Sequence, residues 1–302
     1  MDHFPVLLRE SLEYLAIRPD GTYVDVTCGL GGHSAAIARQ LTSGRVIALD
    51  RDAESLEMAK ARTQDCSKRI TFRQSAFSQL RETLQTLSVG PIHGILGDLG
   101  VNRVQLTSGE RGFSLQERGP LDMRLDRSQP RTAYQLVNHS SEHELADLIY
   151  HLGDERRHSR RIARALVRAR PIRDTLHLAE VVESVVPRTG KIHPATRVFQ
   201  AIRIAVNEEP QELEALLDSA PRLLAAEGRF VVIAFHSNDD RVVKRAFQAL
   251  GRSGEFRILT KHVVKPGLEE VRVNPPSRSA VLRAIERRPL DSVSGGGEAI
   301  GE

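Results

Sequence analysis

The stretch that most constrains the fold is "YVDVTCGLGGHSAAIARQL", residues 23–41, in which a β-rich run leads into glycines and then a helical pattern. The alternating run predicts a strand, and the apolar residues that follow have helical spacing. Gly29, Gly31 and Gly32 let the backbone turn sharply and let a ligand approach it. A second predicted strand, "RVIALD", ends at Asp50. The sequence therefore predicts a parallel α/β sheet with a ligand-receiving first turn.

The spacing around this turn limits the kind of ligand. The dinucleotide pattern G-x-G-x-x-G fails at its last position, which is Ser34, and no G-K-[ST] of a phosphate loop follows. Asp50 lies about twenty residues after the turn, where βαβ nucleotide sites place a carboxylate on ribose hydroxyls. A ligand with a ribose and no phosphate would also tolerate Asp25, so S-adenosylmethionine fits. By itself the turn is equally compatible with an ordinary α/β sheet.

Two further strand ends carry candidate binding residues. "RITFRQSAF" predicts a third strand that runs into a loop holding Phe77, and "GILGDLG" predicts a fourth strand that ends at Asp98. Ligands of doubly wound sheets bind beyond the carboxyl ends of the strands. Phe77 is either a platform for an adenine ring or an ordinary core aromatic.

The strand–helix alternation stops after Asp98. Residues 102–130 are rich in turn formers, and four helical patterns follow before β-structure returns with "EGRFVVIAFHS", residues 227–237. One of these patterns, "SSEHELADLIYHL", opens with a predicted capping box of Ser141 and Glu144. We predict a discontinuous α/β domain of residues 1–103 and 205–290, an inserted helical domain of residues 104–204 that recognises substrate, and a disordered Gly/Ser-rich tail, 291–302.

The charge distribution leaves two interpretations open. The chain has 43 Lys and Arg against 39 Asp and Glu, a net charge of +4. One predicted helix of the insert concentrates arginines, at Arg156, Arg157, Arg160, Arg161, Arg164, Arg168 and Arg170. This segment is either a solvated helix face or a surface that contacts phosphates. Aromatic residues make up only 4% of the chain, which argues against a module that stacks bases on a sheet.

Composition also predicts the setting. The two cysteines form no disulfide framework, so we expect a reduced, cytoplasmic environment. The absence of a long apolar run predicts no membrane partner. The scattered histidines lack a ligand cluster, so no metal is expected. The sequence leaves the oligomeric state open, and a homodimer is one state that it allows.

Several long motifs together resemble one family. They are "HFPVLLRESLEYL", "DVTCGLGGHS", "ALDRD", "GDLGV", "RGFSLQERGPLDMRLD", "GDERRHSRRIARALV", "KIHPATRVFQAIRIAVNEE", "GRFVVIAFHSNDDRVVK" and "NPPSRSAVLRAIER". The chain resembles the bacterial S-adenosylmethionine-dependent methyltransferases that modify the N4 amine of a cytosine in small-subunit ribosomal RNA. "KIHPATR" and "GPLDMR" have no explanation in a generic Rossmann sheet. The resemblance implies a Rossmann-like class I methyltransferase sheet with an inserted helical domain.

The resemblance also implies site residues. Asp50 would take the ribose hydroxyls of the cofactor and Phe77 would lie beside its adenine. His33, which alone would be interpreted as a structural residue at a helix start, gains a cofactor role from its place in the motif. The implied cofactor contacts are Gly31, Gly32, His33, Asp50, Phe77, Asp98 and Gln105.

The implied chemistry needs a group that aligns the amine with the methyl and one that accepts an amine proton. Asp98 is the candidate nearest the methyl, and Asn102 offers a carbonyl acceptor. Candidate contacts to the RNA substrate, expected in an assembled small subunit, are Arg103, Lys191, His193, Arg197, His236 and Ser237. For the last two, a core or capping role is an equal alternative.

The chain departs from the family where the target base would be held. Asn102 and Arg103 replace two serines, and Val104 replaces a proline. Other departures are Ala205 for an aromatic residue, Asn238 and Asp239 for a Leu-Glu pair, and Pro276 for a basic residue. Two rival functions therefore stay open. One is a methyltransferase acting on a small molecule or protein, and the other is a non-catalytic RNA-binding or ribosome-assembly factor that keeps the cofactor pocket.

Overall fold

The computed structural model describes residues 5–101, 105, 109–188 and 193–289. The chain forms two compact units. One holds the described residues up to Gly100 and from Gln211 onward, and we call it the sheet unit. The other, Val101–Pro210, is the insert.

The sheet unit is built on seven strands in the order β3-β2-β1-β4-β5-β7-β6. The first five strands pair in parallel, whereas β7 runs antiparallel to both β5 and β6. The strands are β1 Thr22–Asp25, β2 Arg45–Asp50, β3 Ile70–Gln74, β4 Ile92–Asp98, β5 Leu224–Ala234, β6 Phe256–Ile258 and β7 Val281–Arg287.

Both faces of the sheet are buried, because successive residues of a strand point to opposite faces. In β5, Val231 and Ile233 belong to one apolar cluster, and Phe230 and Val232 belong to the other. The helices of this part of the chain are α1 Leu8–Leu15, α2 Gly32–Gln40, α3 Ala53–Arg62, α4 Leu80–Thr86, α10 Glu209–Leu223, α11 Ser237–Arg252 and α12 Leu268–Val273.

The insert has its own core and is helical. Its helices are α5 Ala133–His139, α6 Glu142–His151, α7 Ser159–Arg168, α8 Thr175–Glu183 and α9 Thr196–Val206. The predicted capping box at the start of α6 is confirmed: the Ser141 hydroxyl accepts from Glu144 N at 3.2 Å, and Ser141 N donates to the Glu144 carboxylate at 2.7 Å. Leu145 and Ile149 of this helix are fully buried in the insert core.

The stretch "RGFSLQERGPLDMRLD" is fixed inside the insert by polar bonds. The buried Arg111 guanidinium donates to the carbonyls of Arg124 and Leu125 at 2.9 and 3.2 Å. Asn207 closes the same region, since its side chain accepts from Leu125 N and donates to the Met123 carbonyl, both at 2.8 Å. This motif therefore has a structural role within the insert.

The α/β sheet interrupted by a helical insert is confirmed, with differences in detail. The second boundary lies at Pro210 instead of residue 204, because α9 continues to Val206 and buries its apolar face in the insert core. The arginine-rich helix is shorter than predicted: α7 begins at Ser159, so Arg156 and Arg157 precede it. The predicted tail, 291–302, lies outside the described residues.

Arg170 corrects the predicted phosphate-contacting segment. It follows α7, and its guanidinium donates to the Val137 and Ser140 carbonyls within the insert. A side chain held in this way satisfies carbonyls at the end of α5 and is not free to follow a phosphate. Among the described residues, every helix is too short or too polar to cross a membrane.

Candidate active site

Three aspartates stand at the ends of neighbouring parallel strands. Asp25 ends β1, Asp50 ends β2 and Asp98 ends β4. The chain reverses its direction of winding between β1 and β4, and this switch point is where open α/β sheets bind ligands. The prediction that Asp50 and Asp98 lie on carboxyl ends of strands is confirmed.

The glycine turn is tied to the end of β2. Gly29 and Gly31 adopt φ values of +50° and +83°, a backbone region that glycine enters without strain. Gly29 N donates to the Asp50 carboxylate at 2.7 Å, and Asp52 N donates to its second oxygen at 2.8 Å. Each carboxylate oxygen can accept a further bond, so Asp50 holds the turn and keeps capacity for a hydroxyl.

Ser34 has a structural reason to replace the last glycine of the dinucleotide pattern. Its hydroxyl donates to the Asp25 carboxylate at 2.6 Å, and Thr27 N donates to the same group at 3.1 Å. Asp25 is fully buried. The serine therefore satisfies the second oxygen of a buried carboxylate whose first oxygen accepts from Thr27 N.

Asp98 presents an unsatisfied oxygen at the switch point. Its Oδ1 is buried and has no hydrogen-bond partner among the described residues, whereas its backbone N donates to the Thr27 hydroxyl at 2.6 Å. The imidazole of His33 lies close by, with its Nδ1 3.8 Å from Asp98 Oδ2, and this contact is an ion pair only when the ring is protonated. A buried oxygen of this kind costs about 1–3 kcal/mol unless a ligand supplies the missing donor.

The electrostatics of the three carboxylates favour a cationic ligand. Burial raises the pKa of Asp25 to about 6 and that of Asp50 to about 7. Burial also raises the pKa of Asp98 to about 8, with further contributions from the negative charges of Asp25 and Glu270. A pyrophosphate would add negative charge to this edge, whereas an ammonium or a sulfonium would compensate it. S-adenosylmethionine carries both cations and a ribose, so the residues present fit this cofactor.

The first described residues close over the glycine turn. Because the Val6 carbonyl can only accept, His33 Nε2 is the donor of the 3.1 Å bond between them. Leu7 N donates to Glu270 Oε1 at 2.8 Å. A Cβ on Gly32 would lie 3.1 Å from Pro5, so the glycine permits this close approach. His33 thus bridges the N-terminal segment and Asp98.

Phe77 lies just past β3, as the sequence predicts, but it opens a short 3-10 turn, Phe77–Gln79. The next residue anchors that turn, since Ser78 N and its hydroxyl each donate to the Glu212 carboxylate at 2.9 Å. Phe77 is half-buried and packs against the apolar cluster beneath the sheet. One part of the Phe77 ring is therefore packed against this cluster, and the rest of the ring is exposed.

His236 and Ser237 lie past the neighbouring strand. Asp98 pairs with Ile233 of β5, so the end of β5 lies beside the end of β4. His236 is the N-cap of α11, and Ser237 is an exposed first residue of that helix. The His236 side chain makes no capping hydrogen bond to α11, so both the capping role and the substrate contact of these two residues stay predictions.

The remaining predicted residues belong to the insert or are not described. Gln105 is buried in the insert. His193 Nε2 lies 2.9 Å from the Glu183 carboxylate, and Arg197 donates to the buried Glu155 at 3.1 Å. Their roles towards cofactor and RNA stay predictions. Asn102, Arg103 and Lys191 lie outside the described residues.

Sequence reasoning missed two residues of this edge. The sequence pattern places Thr27 in the first strand and indicates no further role for it, but its hydroxyl accepts from the backbone N of Asp98. Glu270 lies far along the chain, in the short helix α12, and no pattern near it indicated a link to Leu7. The buried Asp25 gave a signal, since a carboxylate inside a strand requires partners.

The strand order, with β7 antiparallel to its neighbours and carboxylates at the ends of β1, β2 and β4, defines a class I methyltransferase. The methyl donor of this class is S-adenosylmethionine. The chain belongs to the MraW methylase family, whose model matches residues 1–288.

Two relatives match nearly the whole chain. A protein from Solibacter usitatus (strain Ellin6076) named "Ribosomal RNA small subunit methyltransferase H" is 57% identical, covering 95% of this chain and 100% of the relative. A protein of the same name from Acidobacterium capsulatum is 47% identical, covering 95% and 98%. The solved structure of an rRNA methylase from Streptococcus thermophilus is 13% identical with a TM-score of 0.43, covering 95% of this chain and 100% of that chain.

Proposed function

We propose that this protein transfers the methyl group of S-adenosylmethionine to the N4 amine of a cytosine in small-subunit ribosomal RNA. The observation that carries the proposal is the 57% identity, over 95% of the chain, to a relative named as a ribosomal RNA small subunit methyltransferase. The carboxylate edge of the sheet unit supports it with a site for a cationic methyl donor. We further propose that the reaction takes place in the cytoplasm on an assembled small subunit.

When bound, S-adenosylmethionine supplies an electrophilic methyl group on a sulfonium. Asp50 would hold the ribose hydroxyls with the acceptor capacity left on its carboxylate. The glycine turn would let the cofactor approach the backbone, and Phe77 would pack against the adenine. Asp98 would direct its unsatisfied oxygen towards the positive end of the cofactor. These assignments use groups that the fold already fixes, so little reorganisation is required on binding.

The target amine is a weak nucleophile because its lone pair is delocalised into the ring. The protein must therefore hold the nitrogen in line with the methyl and accept an amine proton. Asp98 is the proposed acceptor: burial and neighbouring carboxylates raise its pKa to about 8, so its ionised form takes a proton readily. Asn102 is proposed as a second acceptor for the amine, and Arg103 as a contact to the base or a phosphate.

The insert would hold the RNA. Arg160, Arg161 and Arg168 of α7 are exposed, and no ion pair to them is found among the described residues. Exposed guanidiniums of this kind suit phosphate oxygens. His193 and Arg197, with Lys191, are proposed as further backbone contacts.

The test is nucleoside mass spectrometry after incubation with S-adenosylmethionine. Purified small subunits that lack the modification are compared with naked ribosomal RNA, and Asp98→Ala serves as the inactive control. We expect N4-methylcytidine at one position, with faster turnover on the assembled subunit. A methyl group found elsewhere would replace the target assignment. Turnover on a small molecule or protein with no RNA present would favour that rival class.

The second candidate function is a non-catalytic RNA-binding or assembly factor. The Asn102-Arg103 pair, standing where the family usually has two serines, favours it. This candidate predicts a chain that binds cofactor and RNA yet leaves unmodified the cytosine that a serine-containing relative methylates on the same subunits.

A further inference from the structure

The exposed face of α11 carries a line of basic residues. Arg241, Arg245 and Arg252, with Gln248 between them, follow the spacing i, i+4, i+7 and i+11, which places them on one side of the helix. All four are exposed, and Lys244 lies beside them. We call these five residues the α11 stripe. At about 1.5 Å per residue it runs for about 16 Å along the helix.

The opposite face of α11 anchors the helix to the sheet. Val243 and Phe247 are buried, and the Phe247 ring packs against Phe230 with centroids 5.5 Å apart. At the start of the helix, Asp240 accepts from the Arg283 guanidinium at 2.6 and 3.0 Å. The stripe therefore stands on a fixed support, so its charges keep their spacing.

Within the described ranges, no carboxylate forms an ion pair with the arginines of the stripe. After Asp240 the helix contains no further Asp or Glu. Across the described part of the chain, neither Arg241, Arg245 nor Arg252 has an ion pair. Some exposed arginines of the same unit do have one, as Arg39 does with Asp65 at 3.0 Å. The attraction of Arg252 for the end of the helix dipole explains only one of these charges.

The stripe leads into an open cavity of about 390 Å³ that is also basic. Gln248 and Arg252 belong to both features, and Arg257 and Arg288 also line the cavity. Arg257 pairs with Glu286 at 2.8 Å, but Arg288 has no ion pair among the described residues. Phe256 and Ile258 form an apolar wall. Guanidiniums above an apolar wall suit a phosphate attached to a sugar or base.

We infer that the α11 stripe and this cavity form a second RNA-backbone site, carried by the sheet unit and separate from the arginines of the insert. The inference rests on the proposed function for the identity of the polyanion as RNA. With a site on the sheet unit in addition to the arginines of the insert, the protein would bind RNA through both units.

The test compares two charge reversals. The stripe variant is Arg241→Glu, Arg245→Glu and Arg252→Glu. The control is Arg62→Glu, Arg73→Glu and Arg81→Glu, which changes the same charge at exposed positions on three other elements of the sheet unit. Binding to small-subunit RNA is measured by fluorescence anisotropy over a salt series. Cofactor affinity, measured by calorimetry, reports folding.

We expect the stripe variant to bind RNA at least about tenfold more weakly than the control. Its log–log salt slope should be smaller by about 2, because each lost single-strand phosphate contact removes about 0.7. Cofactor affinity should match that of the control. Equal RNA affinity and slope in both variants would overturn the inference. A second outcome would also overturn it. In that outcome the unmodified protein binds vesicles of anionic phospholipid, the stripe variant does not, and both bind RNA equally well.

The result is separable from the proposed function. If the unmodified protein fails to methylate cytosine but the stripe variant loses RNA affinity, the second RNA site is supported and the proposed activity is refuted. If methylation occurs and the stripe variant binds RNA as tightly as the control does, the proposed activity is supported and the second RNA site is refuted.

Discussion

The carboxylate edge of the sheet unit and the exposed face of α7 in the insert hold uncompensated charge in opposite ways. At the edge, Asp25 is fully buried, Asp50 and Asp98 are half-buried, and one buried oxygen of Asp98 has no partner among the described residues. On α7, Arg160 and Arg161 are positive groups in solvent. The first arrangement lowers the stability of the ligand-free protein, whereas the second changes its stability little.

This difference shows how each region can select a ligand. Enclosed charges interact strongly and with defined geometry, since water does not screen them. Such a site can distinguish a sulfonium cofactor from a phosphate ligand. Exposed arginines act through a screened field, so they attract any polyanion and respond to salt. Exposed arginines alone therefore cannot select a target base.

The largest expected effect comes from Asp98. Asp98→Ala should lower kcat/KM for methyl transfer by about a hundredfold or more, the scale for removing one positioned electrostatic group. The same change removes a carboxylate that is raised in pKa by burial and by Asp25 and Glu270, so the ligand-free protein should melt at a higher temperature at pH 8. Thermal melts and single-turnover assays check both parts. A variant that loses stability together with activity would contradict the contrast drawn above.

The next effect concerns the ribose contact. Asp50→Ala should weaken S-adenosylmethionine binding by about 1–3 kcal/mol, because the ribose loses an acceptor and Gly29 N loses its partner. Calorimetry measures this change, and Asp65→Ala, an exposed carboxylate outside the edge, is the matched control. Unchanged affinity in Asp50→Ala would refute the assignment.

A smaller effect is expected on the insert. Reversing Arg160, Arg161 and Arg168 to Glu should lower RNA affinity by about tenfold and reduce the log–log salt slope by about 2. The control swaps Arg164→Glu with Glu142→Arg, an ion pair of 3.2 Å whose exchange keeps the local charge. Anisotropy titrations check this. Equal losses in both variants would show that the face acts through structure and not through charge.

The smallest effect is the pH dependence of cofactor binding. The pKa values of Asp50 and Asp98, about 7 and 8, mean that both carboxyl groups are mostly protonated at pH 6. Their ionised forms bind a cation, so affinity should rise from pH 6 to pH 8, with protons released on binding. Calorimetry in two buffers of different ionisation enthalpy measures that release. Affinity that falls over this range would reverse the sign of the argument.

The same pH range has the opposite effect on the ligand-free protein. Asp98 has a pKa above its unfolded value, so its protonated form contributes stability that is present at low pH. This contribution is lost as the pH rises from about 4 to about 8. Bound cofactor should offset the loss by supplying positive charge.

Local patterns predicted the parts of the site that local geometry determines. Asp50 and Asp98 end hydrophobic strands, and the position of a residue at a strand end follows from periodicity alone. The bond from Leu7 N to Glu270 joins residues that are 263 positions apart. No local pattern encodes such a pair. The prediction that Arg170 contacts phosphate was wrong for a related reason. Composition shows the charge of this residue, but it does not show the carbonyl at the end of α5 to which the guanidinium donates.

The sheet order has a consequence for synthesis of the chain. Strand β4 ends at Asp98, but its partner β5 begins only at Leu224, after the whole insert. At ribosomal rates of about 5–20 residues per second, the nascent chain exposes the unpaired edge of β4 for roughly 6–25 s. That edge includes Ile95 and Leu96, both destined for complete burial. An apolar edge left open for this time invites pairing with other chains, so the time needed to synthesise the insert sets how long this risk lasts.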